Sequence, residues 1–242
     1  MTFKGQVKSW LHSAGFDLRR YNPAYSPQAQ IAGVLDRLRI DTVFDIGANI
    51  GQYAGELRKL GYGGDIVSFE PLSSAHAQLS AASAGDARWT IAPRVAIGAE
   101  DGEVKINIAG NSVSSSVLDM LANHADAAPE SRYTGQESVP VARLDSIAAP
   151  YLKRDTRLFV KVDTQGYEAA VLAGAPATLA RAQGVQLELS LLPLYAGQML
   201  FEAIIAQMRT AGFEIWTLWP GFADPATDRM LQIDALFVRS EP

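Results

Sequence analysis

From residue 41 onward, short apolar runs alternate with helical stretches, and several of the runs end on an acid. Thr42-Val43-Phe44-Asp45-Ile46 reads as a buried strand closing at Gly47, with a helix over 51–60. Asp65 to Phe69 is a second strand closing at Glu70-Pro71, followed by an Ala-rich helix from Ser73, and Trp89 to Ile91 is a third. Leu158 to Val162 closes at Asp163 before a helix over Tyr167 to Ala173, and Val185 to Leu189 follows. A helix over Met199 to Ala211 precedes two last strands, Phe213 to Leu218 and Ile233 to Val238. Such alternation implies a Rossmann-like α/β fold, a mostly parallel sheet with helices on both faces. The last two strands have no helix between them, which predicts an antiparallel hairpin at the sheet edge. Residues 98–145 break the alternation, with strands over 103–109 and 139–144 around a polar loop, and read as an insertion over the sheet.

Open α/β sheets bind ligands at the carboxyl ends of their strands. Asp45, Glu70, Asp163 and Glu188 all lie at or near such ends, where unpaired carboxylates are costly to bury for packing alone. The first turn reads Asp45-Ile46-Gly47-Ala48-Asn49-Ile50-Gly51. Its glycines permit a tight turn and close approach to a ligand. Their spacing is not the G-x-G-x-x-G of dinucleotide sites, and Asp45 would repel a diphosphate. S-adenosylmethionine carries a cationic sulfonium and an amino group instead, and an acid beside the turn suits that charge. Glu70, ending the next strand, is placed to accept ribose hydroxyls. The plainer alternative is a helix-capping Asp and a surface Glu beside turn glycines.

The segments VFDIGANIGQY, VSFEP, VAIGAEDGEV, NSVSSSVL, VPVARLDSI, FVKVDTQGYEAAVLAGA, QLELSLLPLY and QIDALFV resemble, in that order, the FkbM-type S-adenosylmethionine-dependent O-methyltransferases. The resemblance runs from about Val43 to Val238 and leaves residues 1–40 outside it. It implies a seven-stranded sheet in the order 3-2-1-4-5-7-6 with strand 7 antiparallel, forming a methyltransferase domain over residues 41–242. It also implies that Asp45, Gly47, Asn49 and Gly51 hold the methionine end of the cofactor and Glu70 its ribose. Val95 and Ala96 would line the adenine, and Ser115 lies where the insertion could cover the site.

Sugar hydroxyls are weakly acidic, so methyl transfer to one benefits from a base or a Lewis acid. Asp163 could take the proton directly, or Asp163 and Glu188 could share a Mg²⁺. Lys161 points to the same face as Asp163 by strand alternation and could pair with it or orient substrate. The resulting expectation is an O-methyltransferase acting on a hydroxyl of a sugar, glycolipid or secondary metabolite. An NAD-linked oxidoreductase and a catalytically inactive cofactor-binding module are the competing readings. Histidine occurs only as His12, His76 and His124, which form no zinc cluster; His76 reads as a surface residue, and His124 as a solvated helix-face residue or, within the covering insertion, a base. Trp216, Trp219, Pro220 and Phe222 could form a stacking platform for a sugar ring or pack into the core.

A net charge of −5 argues against a nucleic-acid partner, whose binding depends on released counterions. The chain has no cysteine, hence neither disulfide nor thiolate chemistry, and no signal-like segment; a cytoplasmic setting is expected. Residues 1–40 form a separate helical extension. Phe3, Val7, Trp10, Leu11 and Ala14 fall on one helical stripe with Lys4 and Lys8 off it, and a second helix starts at Ser26-Pro27. Both helices are expected to fold over the sheet and cover the acceptor pocket. The other reading lays residues 1–20 on an anionic membrane surface.

Overall fold

The computed structural model describes residues 3–16 and 22–240; the side chains of Phe3 and Lys4 lie outside the described residues. In chain order the elements are α1 (Phe3–Ser13), α2 (Pro27–Arg37), β1 (Thr42–Ile46), α3 (Gln52–Lys59), β2 (Asp65–Phe69), α4 (Ser73–Ala82) and β3 (Trp89–Ile91). Then come β4 (Ala96–Ile97), β5 (Gly102–Ala109), α5 (Ala122–Ala127), β6 (Tyr133–Ala142) and α6 (Leu144–Ile147). The chain continues with β7 (Leu158–Val162), α7 (Glu168–Ala173), α8 (Pro176–Arg181), β8 (Ala182–Ser190), α9 (Phe201–Thr210), β9 (Phe213–Pro220) and β10 (Gln232–Arg239).

Seven strands form the main sheet in the order β3-β2-β1-β7-β8-β10-β9. Numbered within that sheet alone, this is the expected 3-2-1-4-5-7-6. β10 runs antiparallel to both of its neighbours. Strand alternation then assigns the faces. Phe44, Ile46, Val67, Phe69, Val160 and Val162 point one way and build the larger core with Leu172 of α7 and Ile204 and Met208 of α9. Val43, Ile66, Phe159 and Leu236 point the other way, beneath Ile31, Val34 and Leu35 of α2 and Leu57 of α3.

That second face changes character toward the strand carboxyl ends. One register step past its apolar rung, Ser68, Asp45, Lys161 and Gln186 stand side by side on β2, β1, β7 and β8, all buried. Asp163 follows Lys161 two residues on, and Glu188 of β8 faces Asp234 of β10. A polar row therefore crosses the sheet where the apolar core stops.

The insertion forms a second, three-stranded sheet in the order β4-β6-β5. Its Ala96, Ile106, Val139 and Val141 pack on Ala75 of α4 and on Leu72, which precedes it. Glu137 of β6 accepts from the Ser73 amide at 3.2 Å and pairs with Arg94, tying this sheet to the start of α4. β6 begins at Tyr133, well before the expected Val139, because its first half pairs with β5 rather than entering a core. α5 and α8, six residues each, are too short to show a helical period in the sequence.

The N-terminal helices behave differently from each other. Ser26 caps α2, accepting from the Ala29 amide at 3.3 Å, and α2 packs onto the sheet. The described side chains of α1 enter none of the four apolar clusters, so the expectation that both helices fold over the sheet is corrected for α1. Among the described residues, no helix is long and apolar enough to cross a membrane.

Phe44 is fully buried, with the Phe69 and Tyr151 rings edge-on at 5.5 and 6.3 Å. Phe44→Ala should lower stability by about 3–5 kcal/mol in urea unfolding. Trp10→Ala should change it by less than about 0.5 kcal/mol. Comparable losses for the two would contradict this division between the core and α1.

Candidate active site

The chain leaves β1 through Gly47 at φ +75°, where a Cβ would lie 1.9 Å from the Asp163 carbonyl oxygen. Only glycine lets the β1 exit pass this close to the β7 exit. Gly51, at φ +94°, starts α3 against Trp89, which a Cβ would meet at 2.7 Å. Between them the amides of Gly47 and Ala48 both donate to the Phe69 carbonyl at 3.1 Å, fastening the turn to β2.

Glu70 completes that fastening. Its buried carboxylate accepts from the Asn49 amide at 2.8 Å and the Leu72 amide at 2.9 Å. Burial pushes its carboxyl up to about 7, with the two amides pulling the other way. Each oxygen keeps a second lone pair for a ligand donor. Asn49, beside it, carries a buried side-chain oxygen without a partner.

Lys161 sits in the middle of the polar row. Its ammonium lies 3.2 Å from Asp45 Oδ1 and 3.5 Å from Asp163 Oδ2, and donates to the Gly47 carbonyl at 3.2 Å. The Asp45 contact is ionic rather than a well-directed hydrogen bond, and its other oxygen accepts from Ser68 Oγ at 3.4 Å. Burial works against the Lys161 charge, but Asp163 and Asp45 outweigh it and hold the lysine protonated. Burial raises the Asp45 carboxyl and Lys161 opposes that rise.

A cavity of about 530 Å³ opens over these strand ends. On the β1–β2 side it is lined by Gly47, Asn49, Glu70, Val95 and Ala96. On the β7–β10 side it is lined by Lys161, Asp163, Gln165, Gln186 and Asp234, with Tyr53 of α3 alongside. The loop leaving β5 roofs it with Ser112, Val113, Ser115 and Ser116. That loop is pinned by Ser116 Oγ donating to the Gln165 carbonyl at 2.6 Å and by Ser115 Oγ donating to the Ser112 carbonyl at 2.8 Å.

Of the residues singled out in the sequence, Gly47, Asn49, Glu70, Val95, Ala96, Ser115, Lys161 and Asp163 line this cavity. Asp45, Gly51 and Glu188 are not among its lining residues. Asp45 is fully buried behind the turn, where it neutralises Lys161. Glu188 accepts from Gln165 Nε2 at 2.8 Å and from Gln232 Nε2 at 2.6 Å, and burial raises its carboxyl well above the usual range. The same Gln165 amide also donates to Asp163 Oδ1 at 2.9 Å. An amide donor thus stands between the two carboxylates expected to share a Mg²⁺, and the pair does not present a common cation site. Among the described residues, no group of three or more His, Cys, Asp or Glu could hold a metal ion.

His124 is buried, not solvated, between the Tyr195 and Phe222 rings at 5.1 and 5.2 Å. His76 is partly buried, with Nε2 at 2.9 Å from the Ala92 carbonyl. Trp219 is buried and donates to Gln30, while Trp216 lies exposed under Arg37; neither lines the cavity, nor does Phe222. The sequence reading missed Gln165, Gln186 and Asp234. Polar residues alternating with apolar ones in Gln186-Leu187-Glu188, and an acid inside the apolar run Ile233 to Val238, were the available signals. Burial and the neighbouring Asp163 push Asp234 up to about 6.

The cavity thus lies between a glycine turn and a buried glutamate at the carboxyl ends of a Rossmann-like sheet. The family model described as the methyltransferase FkbM domain matches residues 45–215. The chain belongs to that family and is an S-adenosylmethionine-dependent methyltransferase. No curated protein matches its sequence. Among solved structures it is similar to an rRNA methylase from Streptococcus thermophilus, at 10% identity over 93% of this chain and 100% of that one, TM-score 0.48. It is similar to the methyltransferase domain of bacterial CtHen1, at 10% identity over 90% and 100% of the two chains, TM-score 0.48. The glycopeptide N-methyltransferase MtfA complexed with S-adenosylmethionine shares 12% identity over 99% and 98%, TM-score 0.42.

Two outcomes follow from this geometry. Lys161→Met leaves the Asp45 carboxylate buried without a counter-charge and should lose about 3–5 kcal/mol in urea unfolding at neutral pH. Asp45→Asn added to it should recover most of that loss; a single mutant as stable as the parent would contradict the pairing. For the cofactor, ribose hydroxyls that donated to ionised Glu70 would lower its pKa on binding. Calorimetric affinity for S-adenosylmethionine should therefore rise from about pH 6 to about pH 8. Glu70→Gln should flatten that rise and weaken binding about tenfold; an unchanged pH profile in the variant would count against the role.

Proposed function

We propose that the methyl acceptor is a hydroxyl oxygen on a sugar, a glycolipid or a secondary metabolite. The observation that carries this reading is the β7–β10 wall of the cavity, where Asp163, Gln165, Gln186 and Asp234 meet. Their carboxylate and amide groups suit a molecule rich in hydroxyl donors. A net charge of −5 supports a small-molecule or lipid-linked acceptor over a nucleic acid.

Bound S-adenosylmethionine supplies an electrophilic methyl group on its sulfonium. The residues that fit it are Gly47, Asn49 and Glu70, with Val95 and Ala96 along the adenine. Asn49 contributes its unpartnered oxygen and Glu70 its free lone pairs. Asp163 receives the proton that the hydroxyl gives up. Its orientation is held from one side by Lys161 at 3.5 Å and from the other by Gln165 at 2.9 Å. Asp234, half-buried and titrating at about 6, stays largely ionised at neutral pH and accepts a hydrogen bond from the acceptor. The roof formed by Ser112 to Ser116 limits water at the reacting oxygen.

Radiolabelled methyl transfer to a panel of sugars, glycolipids and amine-bearing analogues tests this reading. Transfer should be seen to hydroxyl acceptors, and Asp163→Asn should cut it by ~10²–10⁴ while cofactor affinity stays within severalfold. Transfer confined to amines, or near-normal turnover by the variant, would sink it.

A further inference from the structure

We propose that Tyr195 is a positioning residue for methyl transfer, acting through Gln165 on Asp163; the proposal rests on the reading of Asp163 as the proton acceptor. Tyr195 lies in the loop after β8, is fully buried and is not among the cavity's lining residues. Its ring packs on Gly166, at φ +93°, where a Cβ would meet the ring at 2.9 Å. The His124 ring stands edge-on to it at 5.1 Å. Its backbone is fixed as well, since the amides of Leu194 and Tyr195 both donate to Gln198 Oε1 and a bridge joins it to Met120. A tyrosine held this firmly has a hydroxyl with one available place.

That hydroxyl donates to Gln165 Oε1 at 2.8 Å, and its other neighbour is the Ser114 carbonyl of the roof at 3.4 Å. Both are acceptors, so the hydroxyl can only donate. Burial pushes the phenol up and keeps that proton in place. A side-chain amide has one accepting end and one donating end, so a donor at Oε1 settles which way Gln165 faces. Its Nε2 then points to Asp163 Oδ1 at 2.9 Å and to Glu188 Oε2 at 2.8 Å. Reversed, the amide would set its oxygen against both carboxyl groups.

Asp163 needs this help because packing does not hold it. Its side chain is 38% exposed, so hydrogen bonds rather than neighbours fix the plane of its carboxylate. Lys161 holds one oxygen and is shared with Asp45 and the Gly47 carbonyl. Gln165 holds the other. Gln165 itself sits at φ +54°, in the left-handed region that a non-glycine residue seldom adopts. Such a conformation persists only where the surroundings impose it. Here the Ser116 hydroxyl of the roof donates to the Gln165 carbonyl at 2.6 Å and Tyr195 takes the end of its side chain. The order therefore passes from a buried phenol, through one amide, to an exposed carboxylate.

Two measurements on the full chain test this. The first needs no acceptor: the Gln165 side-chain amide is identified in a proton–nitrogen correlation spectrum by its disappearance in Gln165→Met. Its protons should exchange with water about tenfold more slowly than those of exposed side-chain amides, and Tyr195→Phe should remove most of that protection. The second is turnover on a hydroxyl acceptor. Tyr195→Phe should lower kcat about tenfold, with KM for the acceptor and affinity for S-adenosylmethionine within about twofold of the parent. Gln165→Met should lower kcat at least as far, and adding Tyr195→Phe to it, or to Asp163→Asn, should cost nothing more. Unchanged amide exchange in Tyr195→Phe, an unchanged kcat, or the same fractional loss in the Asp163→Asn background would overturn the proposal. Near-normal turnover by Asp163→Asn alone would defeat the proton-acceptor reading instead, and the amide exchange would still decide whether Tyr195 orients Gln165.

Discussion

A protonated lysine buried between two carboxylates holds the two halves of this site together. Lys161 touches Asp45 on β1, Asp163 just beyond β7 and the carbonyl of Gly47 in the glycine turn. Removing an ammonium from water is expensive, and only opposite charges at close range repay it. The same contacts therefore fix the glycine turn against β7 and aim Asp163 over the strand ends. Glu70 and Gln165 extend that order, one toward β2 and the other toward β8.

The sheet explains why a polar site can exist here at all. Along each of the central strands, the face under α2 and α3 begins with apolar residues such as Val43 and Phe159 and ends with Asp45 and Lys161. The opposite face stays apolar throughout, through Phe44, Ile46, Val160 and Val162. Stability thus rests on one continuous core, and the polar row draws on only the final turn of the other. The insertion sheet adds the roof without interrupting either.

Much of this was legible in the sequence because it depends on local pattern. Strand–helix alternation and the unbroken last pair of strands were enough to place β10 as the antiparallel strand, and the glycine turn with Glu70 marked one wall of the cavity. Side-chain destination was less legible, because it depends on cross-strand register. Asp45 and Asp163 both read as strand-end acids, yet the register of β1 with β7 sets Asp45 against Lys161 and leaves Asp163 on the cavity. Glu188 is likewise taken by Gln165 and Gln232, residues from two other segments. His124 lies in a helix too short for periodicity to assign a face, and the rings that bury it come from distant loops. The N-terminal stripe was read correctly as amphipathic, but periodicity alone does not say what it packs on.

A cleft suited to a phosphate-free cofactor with a cationic sulfonium should take S-adenosylmethionine and reject NAD. Isothermal titration of the full chain with S-adenosylmethionine and, separately, with NAD addresses it directly. One S-adenosylmethionine should bind per chain, with no heat from NAD beyond dilution. Saturable NAD binding, or the absence of any S-adenosylmethionine binding, would contradict it.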